Sequence, residues 1–573
     1  TMPGGLMQLK AKGKAGNILT GNPTKSFFKF AYSKYTDFSM QKFRVDFNGS
    51  KSLRLNEQSK MSFKIPRHAD LLMDAYVSIN MPSIWSPIMP PTTNSADPVD
   101  NAGRWIPYEY KWIDYLGAMM IEQVSITCGN YTLQEYSGEY ILSVVQRDFP
   151  KEKQDLFYRM IGHVPEMNDP ANSGARVNTY PNAFYTDSEN GAEPSIRGRQ
   201  LVVPLNAWFS LKSQNAVPLA SLQYNELFVH VTFRPIQQIF KIRDVIDNLH
   251  NYPYVAPNFN QTHMQFYRFL QTPPDVKLTT DSYDDTRTLW NADVHLMCTY
   301  GFLSDEERRV FFQREQKYLI KQVKEYNIKN VAGSVKFNLD TLGLIPNIMF
   351  FLKRSDIFMR NEWANKTNWP YNYIPYEIYR ASSQTQTTPS NTTHPIFRKH
   401  SNSDVVEQLY IGPGVNANGN LTGWHITGDY RPENQKAILE SAAILFDGNY
   451  RENLLPETTF NYLEKYTKTG SDAIDGLYCY MFSSNDTIFQ LQPSGAANLT
   501  SVAKIELELN TTVPPLDPHA QSLAICDPDT GDFVGINKPT WRLYDYNYDL
   551  TIFQEMYNVL HFASGNCGLA FAT

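Results

Sequence analysis

Hydrophobic and polar positions alternate with period two along much of the chain, as half-buried strands require, because successive side chains point to opposite faces of a sheet. Val124, Ile126 and Cys128 alternate with Ser125 and Thr127; Gly129-Asn130 then supplies a two-residue turn, and Tyr131 and Leu133 resume the pattern. A hairpin is predicted there, since such turns need positive φ. Leu227, Val229, Val231 and Phe233 form a second run. Ile505, Leu507 and Leu509, separated by Glu506 and Glu508, form a third with one wet face. Alternation of this kind suits antiparallel sheets in sandwiches rather than the doubly covered parallel sheet of a wound α/β fold.

Helix signals are sparse. The best is Ser304-Asp305-Glu306-Glu307, a capping box in which Ser304 takes the N3 amide and Glu307 reaches back to the cap amide. The helix predicted from there has acids at its start, Arg308, Arg309 and Lys317 later, and Phe311, Phe312, Leu319 and Val323 on its buried side. Three stretches are irregular. Met81 to Pro98 carries five prolines, which deny amide donors to any ladder and read as a surface loop. Residues 241–285 are weakly patterned and end in the acidic run Asp281 to Asp285, which suits a connection between two halves. Residues 381–395 are polar and low in complexity. No repeat of 20–50 residues is present, which argues against propellers and solenoids.

Composition sharpens the class. A chain of 573 residues is too long for one hydrophobic core, so two large β domains or three to four smaller ones are expected. With 42% hydrophobic, 13% aromatic and only 19% charged residues, general disorder, coiled coils and collagen-like rods are excluded. The net charge of −6 is unevenly spread. Residues 1–67 hold thirteen Lys or Arg against three acids, or +10, which leaves −16 on the remainder. A basic arm therefore precedes an acidic body, as either solubilising lysines or a contact with an anionic neighbour.

Candidate chemistry is thin. The five cysteines (Cys128, Cys298, Cys479, Cys526, Cys567) are far apart with no CxxC pair, which supports neither a zinc ribbon nor a dense disulfide framework and suits a reducing compartment. The opening residues lack a signal-type apolar core, and the longest apolar run, Leu342 to Leu352, is too short for a bilayer span, so neither ordinary secretion nor membrane spanning is expected. His68-Ala69-Asp70 matches half of a facial triad, but reads better as a polar strand edge after Pro66. Asp527 to Asp532 departs from calcium-loop spacing and reads as an acidic turn. Glu306 and Glu307, adjacent on a helix, point in different directions and do not form an acid/base pair. Nucleophile-elbow, phosphate-loop and dinucleotide motifs are absent from the sequence. Aromatics interleave with bases at Phe27-Phe28-Lys29-Phe30, Tyr32, Lys34 and Tyr35, a composition that can stack single-stranded bases, but it reads better as packing of an entering first strand. No catalytic, cofactor or metal residue is nominated, and no specific nucleic acid partner is expected.

Blocks of sequence supply more. Gly4-Gly5-Leu6, Gln8-Leu9, Leu19-Thr20-Gly21-Asn22-Pro23 and Phe27-Phe28-Lys29 open the chain, and Pro218-Leu219-Ala220 with Leu222-Gln223-Tyr224 and Glu226 follows. Phe302 to Arg309, then Leu445-Phe446-Asp447-Gly448, Gln492-Pro493-Ser494-Gly495 and Tyr557-Asn558-Val559-Leu560 with Gly568-Leu569-Ala570 complete the series. In this order they resemble the major capsid proteins of nucleocytoplasmic large DNA viruses, most of all the algal and amoebal branch. Two blocks depart from the family's pattern, Ser501-Val502-Ala503-Lys504 and Tyr32-Ser33-Lys34-Tyr35, as in a distant relative.

The resemblance implies an all-β double jelly roll: two tandem eight-stranded antiparallel sandwiches with long loop insertions and a few short helices. Its expected divisions are a basic N-terminal arm at 1–24, a first jelly roll at 25–240, a connecting segment at 241–287 and a second jelly roll at 288–573. It implies a structural virion protein, not an enzyme, that needs no cofactor and forms homotrimers of pseudo-hexagonal outline tiling an icosahedral capsid assembled in the host cytoplasm. Insertions would rise as towers, made sticky by Trp85, Trp105, Trp363 and Trp369. The arm, through Lys10, Lys12, Lys14, Lys25 and Lys29, would face minor capsid proteins and the inner viral membrane. A β-sandwich carbohydrate-binding or carbohydrate-active protein is the alternative, for which the sequence nominates no pair of carboxylates.

Overall fold

The computed structural model describes residues 4–10, 13–89, 106–176, 180, 181, 183, 193–244, 253–273, 283, 285–340, 343–369, 378–380, 398–399, 406–415, 421–427, 436–514, 523–526, 533–537 and 546–571. Its frame is two sets of eight strands. In the first set β1 is Phe38–Asp46, β2 Ser59–Lys64, β3 Leu71–Met81, β4 Ile121–Cys128, β5 Tyr131–Tyr136, β6 Arg199–Pro204, β7 Leu227–Phe233 and β8 His295–Leu303. They form two antiparallel sheets, ordered β1-β8-β3-β6 and β2-β7-β4-β5. The second set comprises β9 (Gln316–Val331), β10 (Ser334–Leu339), β11 (Leu344–Arg354), β12 (Leu439–Phe446), β13 (Asn449–Tyr450), β14 (Tyr478–Met481), β15 (Ile505–Thr511) and β16 (Tyr548–Ala563). It repeats the pattern as β9-β16-β11-β14 and β10-β15-β12-β13. Each half is a jelly roll, with its first strand beside its eighth and its second beside its seventh.

The alternating runs fold largely as their periodicity predicts, except that Tyr131 is exposed while Leu133 is buried, where the hairpin register shifts. Val124, Ile126 and Cys128 are fully buried on β4, Gly129 turns with φ of 59°, and Cys128 pairs with Tyr131 across the hairpin. On β7 the four odd-numbered apolar residues face the core. The third run keeps its apolar face, but its expected wet face is partly covered, because Glu508 is capped by the Tyr450 hydroxyl at 2.9 Å and Lys336 at 3.1 Å.

Sheet pairing moves the expected divisions. Strand β8, placed by sequence in the second half, lies between β1 and β3 of the first roll, so a cut at 287/288 passes through that roll. The expected connecting segment also contributes structure: Phe240–Arg243 pairs with Tyr110–Trp112 and Tyr254–Val255, and Phe266 and Phe269 are buried in the core. Of the other two irregular stretches, 90–98 and all of 381–395 lie outside the described residues.

Three helices matter here: α1 (Gly138–Asp148), α2 (Lys151–Met160) and α3 (Asp305–Gln313). The predicted α3 forms, but it differs from expectation in three respects. The Ser304 side chain makes no cap bond; the helix buries no residue and leaves Phe312 half exposed; and Leu319 and Val323 belong to β9. Its anchor is the Arg308 guanidinium, which donates to both oxygens of Asp70 at 2.8 and 3.1 Å.

The second roll's sheet β9-β16-β11-β14 is a wall shared by both rolls. Ile348, Phe350 and Leu352 on β11 point into the second core, while Met349 and Phe351 join the first roll's cluster against α1. Apolar side chains are needed on both faces, so β11 reads as a continuous apolar run, as doubly covered strands do.

Candidate functional site

Two regions hold the polar and apolar groups that the rolls themselves leave over: the seam between them, and the chain ahead of β1.

At the seam, α1 is buried along nearly its whole length. The Ser137 hydroxyl caps it by accepting from the Tyr140 amide at 3.3 Å. Gly138 is required because a Cβ there would collide with the carbonyl oxygens of Ala118 and Ile121. From this helix Arg147 enters the second roll with no exposed surface. It donates to both oxygens of Asp148 at 2.7 and 2.8 Å, to Glu555 at 2.9 Å and to the Asn347 side-chain oxygen at 2.9 Å. Glu555, on β16, also accepts from the Tyr140 hydroxyl at 2.9 Å and the Asn347 amide at 2.8 Å, and Lys321 lies 3.5 Å away.

Burial alone would raise both carboxyls. For Glu555, Arg147, Lys321 and the hydrogen bonds outweigh burial and draw it down to about 2; for Asp148 they do not, and burial holds it up. A second bridge follows α1 outward, where Glu139 meets Lys353 of β11 at 2.8 Å and Arg234 at 3.3 Å.

A covalent link crosses the same seam. Cys128 at the end of β4 and Cys567 on the strand Asn566–Leu569 form a disulfide across 439 residues, with Cα atoms 6.7 Å apart. The cysteine spacing along the chain gives no sign of this one pair. Cys298 and Cys479 are free and buried. Beside the link, the amides of Gln223 and Tyr224 both donate to the Gly565 carbonyl, at 2.9 and 3.1 Å.

Ahead of β1 the pattern inverts. Every described residue from Gly4 to Gln41 is exposed, including Leu19 at 90%, Phe27 at 91% and Phe28 at 101%. The expected packing of these aromatics as an entering strand is not realised, since Phe27, Phe28, Phe30, Tyr32 and Tyr35 lie ahead of β1 and stay exposed. Lys10, at the end of the helix Gly4–Lys10, and Lys14, Lys25 and Lys29 are exposed among them; Lys12 lies outside the described residues. The Lys25 ammonium stands 5.6 Å from the Phe27 ring centre. Among the described residues β1 lies at the edge of its sheet, and its Phe38 and Met40 stay half exposed. Exposed apolar side chains and lysines thus share this stretch of chain.

Other sequence candidates are absorbed into structure. His68 packs 5.0 Å from the Phe43 ring, Asp70 holds α3, and Glu306 is exposed. Trp363 donates to the Gln238 carbonyl at 2.8 Å under the Arg234 guanidinium, so it is an internal packing residue rather than a sticky tower residue. Trp105 and Asp527 to Asp532 lie outside the described residues. Among the described residues, no helix is long and apolar enough to cross a membrane.

Two family models match in tandem, with the break near α3. Residues 26–269 match the major capsid protein N-terminus, and residues 307–568 match the large eukaryotic DNA virus major capsid protein. The chain belongs to this capsid protein family. It is 22% identical to the major capsid protein of Phaeocystis pouchetii virus and 23% identical to that of Paramecium bursaria Chlorella virus 1, over the whole of each pair of chains. With the major capsid protein of Chrysochromulina ericina virus it shares 27% identity over 59% of this chain and 56% of that one. Its fold is similar to that of PBCV-1 VP54, with a TM-score of 0.58 at 19% identity over 96% and 100% of the two chains. The Faustovirus major capsid protein matches with a TM-score of 0.59 at 12% identity over 97% and 96%. The double jelly roll is thus common to this chain and to those capsid proteins. The protein is a structural component of the viral capsid, not an enzyme.

Proposed function

We propose that this capsid protein works by self-association: three copies form a homotrimer of pseudo-hexagonal outline, and such trimers tile an icosahedral shell assembled in the host cytoplasm. The carrying observation is the repetition of one strand order in two rolls of a single chain. Three copies related by a three-fold axis then present six similar units, and a heterologous contact closes into a ring when each step turns by a third of a circle. The exposed apolar edge at β1 and the arm supply surface of the kind that stable homo-oligomers bury. Light scattering is expected to give about three times the 65.8 kDa chain mass, with hexagonal outlines in electron micrographs. A monodisperse monomer at high concentration would refute this reading.

Lys10, Lys12, Lys14, Lys25 and Lys29 extend the proposal toward the shell's inner face, where minor capsid proteins or an anionic membrane surface would receive them. Each lysine near such a surface contributes roughly 1 kcal/mol, less as salt screens it.

A further inference from the structure

A polar cavity of about 510 Å³ opens on the seam, walled by the first roll through Lys111, Asp114 and Lys241 and by the second through Glu362, Lys366 and Asp475. Most of its charges are already matched. Lys111 meets Asp169 at 3.1 Å, Lys241 meets Glu362 and lies 4.0 Å from Asp114, which His163 approaches at 3.7 Å and to which the Asn168 amide donates at 2.9 Å, and Lys436 meets Asp475 at 3.0 Å. Lys366 is the exception. It is 7% exposed, and its ammonium reaches only neutral acceptors, the Gln146 side-chain oxygen at 3.2 Å and the Ser143 hydroxyl at 3.4 Å, with the Phe351 ring centre 4.7 Å away. Among the described residues no carboxylate lies within ion-pair distance of it.

The groups around Lys366 leave positive charge in excess. From α1 it faces Glu139, which is already bound by Lys353 and Arg234. From β11 it faces Lys353, from the helix Glu464–Lys468 it faces Lys465, and from β14 it faces the Cys479 thiol. Lys465 is hydrogen-bonded by neutral oxygens, those of Asn461 at 3.1 Å and Ile474 at 3.0 Å, with the Asp475 and Glu457 carboxylates farther off. A buried ammonium without a counter-charge is costly, and a cavity that admits an ion removes the cost.

We propose that this cavity binds a small oxyanion, held by the Lys366 ammonium across the seam between the rolls. This goes beyond the assembly reading and does not depend on the trimer. Burial, then repulsion from Lys353, draws Lys366 down to about 7, so without an anion the amine is already losing its proton at neutral pH. A bound anion favours the charged form. Binding therefore takes up a proton, strengthens as pH falls and fades as pH rises past the free-site value.

Sulfate, whose charge is constant across this range, is the probe. Equilibrium dialysis of the purified full chain is expected to retain one sulfate per chain at about pH 6, with affinity about tenfold or more weaker at about pH 9. Lys366→Met is expected to abolish retention. Equal retention by wild type and Lys366→Met, or none by wild type at millimolar sulfate and about pH 6, overturns the proposal. Should Lys366→Met fail to fold, Gln146→Glu decides: it sets a carboxylate beside the ammonium in the anion's place and must abolish uptake. Retention by that variant also overturns it.

Discussion

Arg147 shows how much of this molecule is decided by single residues that the sequence does not mark. In the chain it reads Gln-Arg-Asp-Phe, an ordinary helix end, yet its guanidinium is buried against Glu555, 408 residues away. Removing one partner of such a pair leaves the other charge buried and unmatched, which costs about 3–5 kcal/mol. Arg147→Met is expected to destabilise the folded chain by that amount in chemical denaturation, and Arg147→Met/Glu555→Gln to recover part of the loss. Glu555 also sets a pH dependence. Its carboxyl is lowered from an ordinary 4.5 to about 2, so its contribution to stability is fully present above about 4.5 and is lost as pH falls toward 2. Melting curves between those values should lose less stability in Glu555→Gln than in wild type. No period or motif signals such contacts, because they join residues that meet only after both rolls have formed.

At the scale of elements, alternation made strands β4, β7 and β15 legible, since each has one face on a core and one toward more polar surroundings. A rule that assigns polar residues to solvent misses α1, because its polar stripe of Glu139, Ser143, Gln146 and Arg147 has the 3.6-residue period of a helix but is largely buried between the rolls. It also misled at α3, where Phe311 and Phe312 suggested a buried face on a helix that buries no residue. The one disulfide is hidden because spacing along the chain carries no information about strands from different rolls meeting at the seam. Because Cys128–Cys567 fastens the last strand to β4, losing it should loosen the C-terminal hairpin before the rest. Cys567→Ser is expected to lower stability by about 2–4 kcal/mol, and non-reducing peptide mapping of wild type should recover the 128–567 cross-link. Equal melting of wild type and variant under oxidising conditions would show that the hydrogen bonds at Gly565 suffice.

For the whole molecule, two rolls with a shared wall account for the core, while the described residues before β1 stay exposed. Its charge and its aromatics make separable demands. The aromatics, as apolar surface, are insensitive to salt, whereas +10 over residues 1–67 acts through an electrostatic range of about 8–10 Å at physiological ionic strength. Truncating residues 1–24 removes Lys10, Lys12 and Lys14 but spares the aromatics from Phe27 onward and all sixteen roll strands. The truncated chain is therefore expected to keep its melting temperature and its trimers in light scattering. It should bind anionic vesicles more weakly than the full chain at low salt and should form shells poorly. Replacing Lys10, Lys12 and Lys14 with glutamine should reproduce the binding loss if charge is the cause; raised salt should shrink the difference between full and truncated chains, because screening removes the part that the lysines supply. Normal shell yield from the truncated chain would move the arm's role from the inner layer to the contacts within the trimer, where the aromatics and the β1 edge remain to be covered.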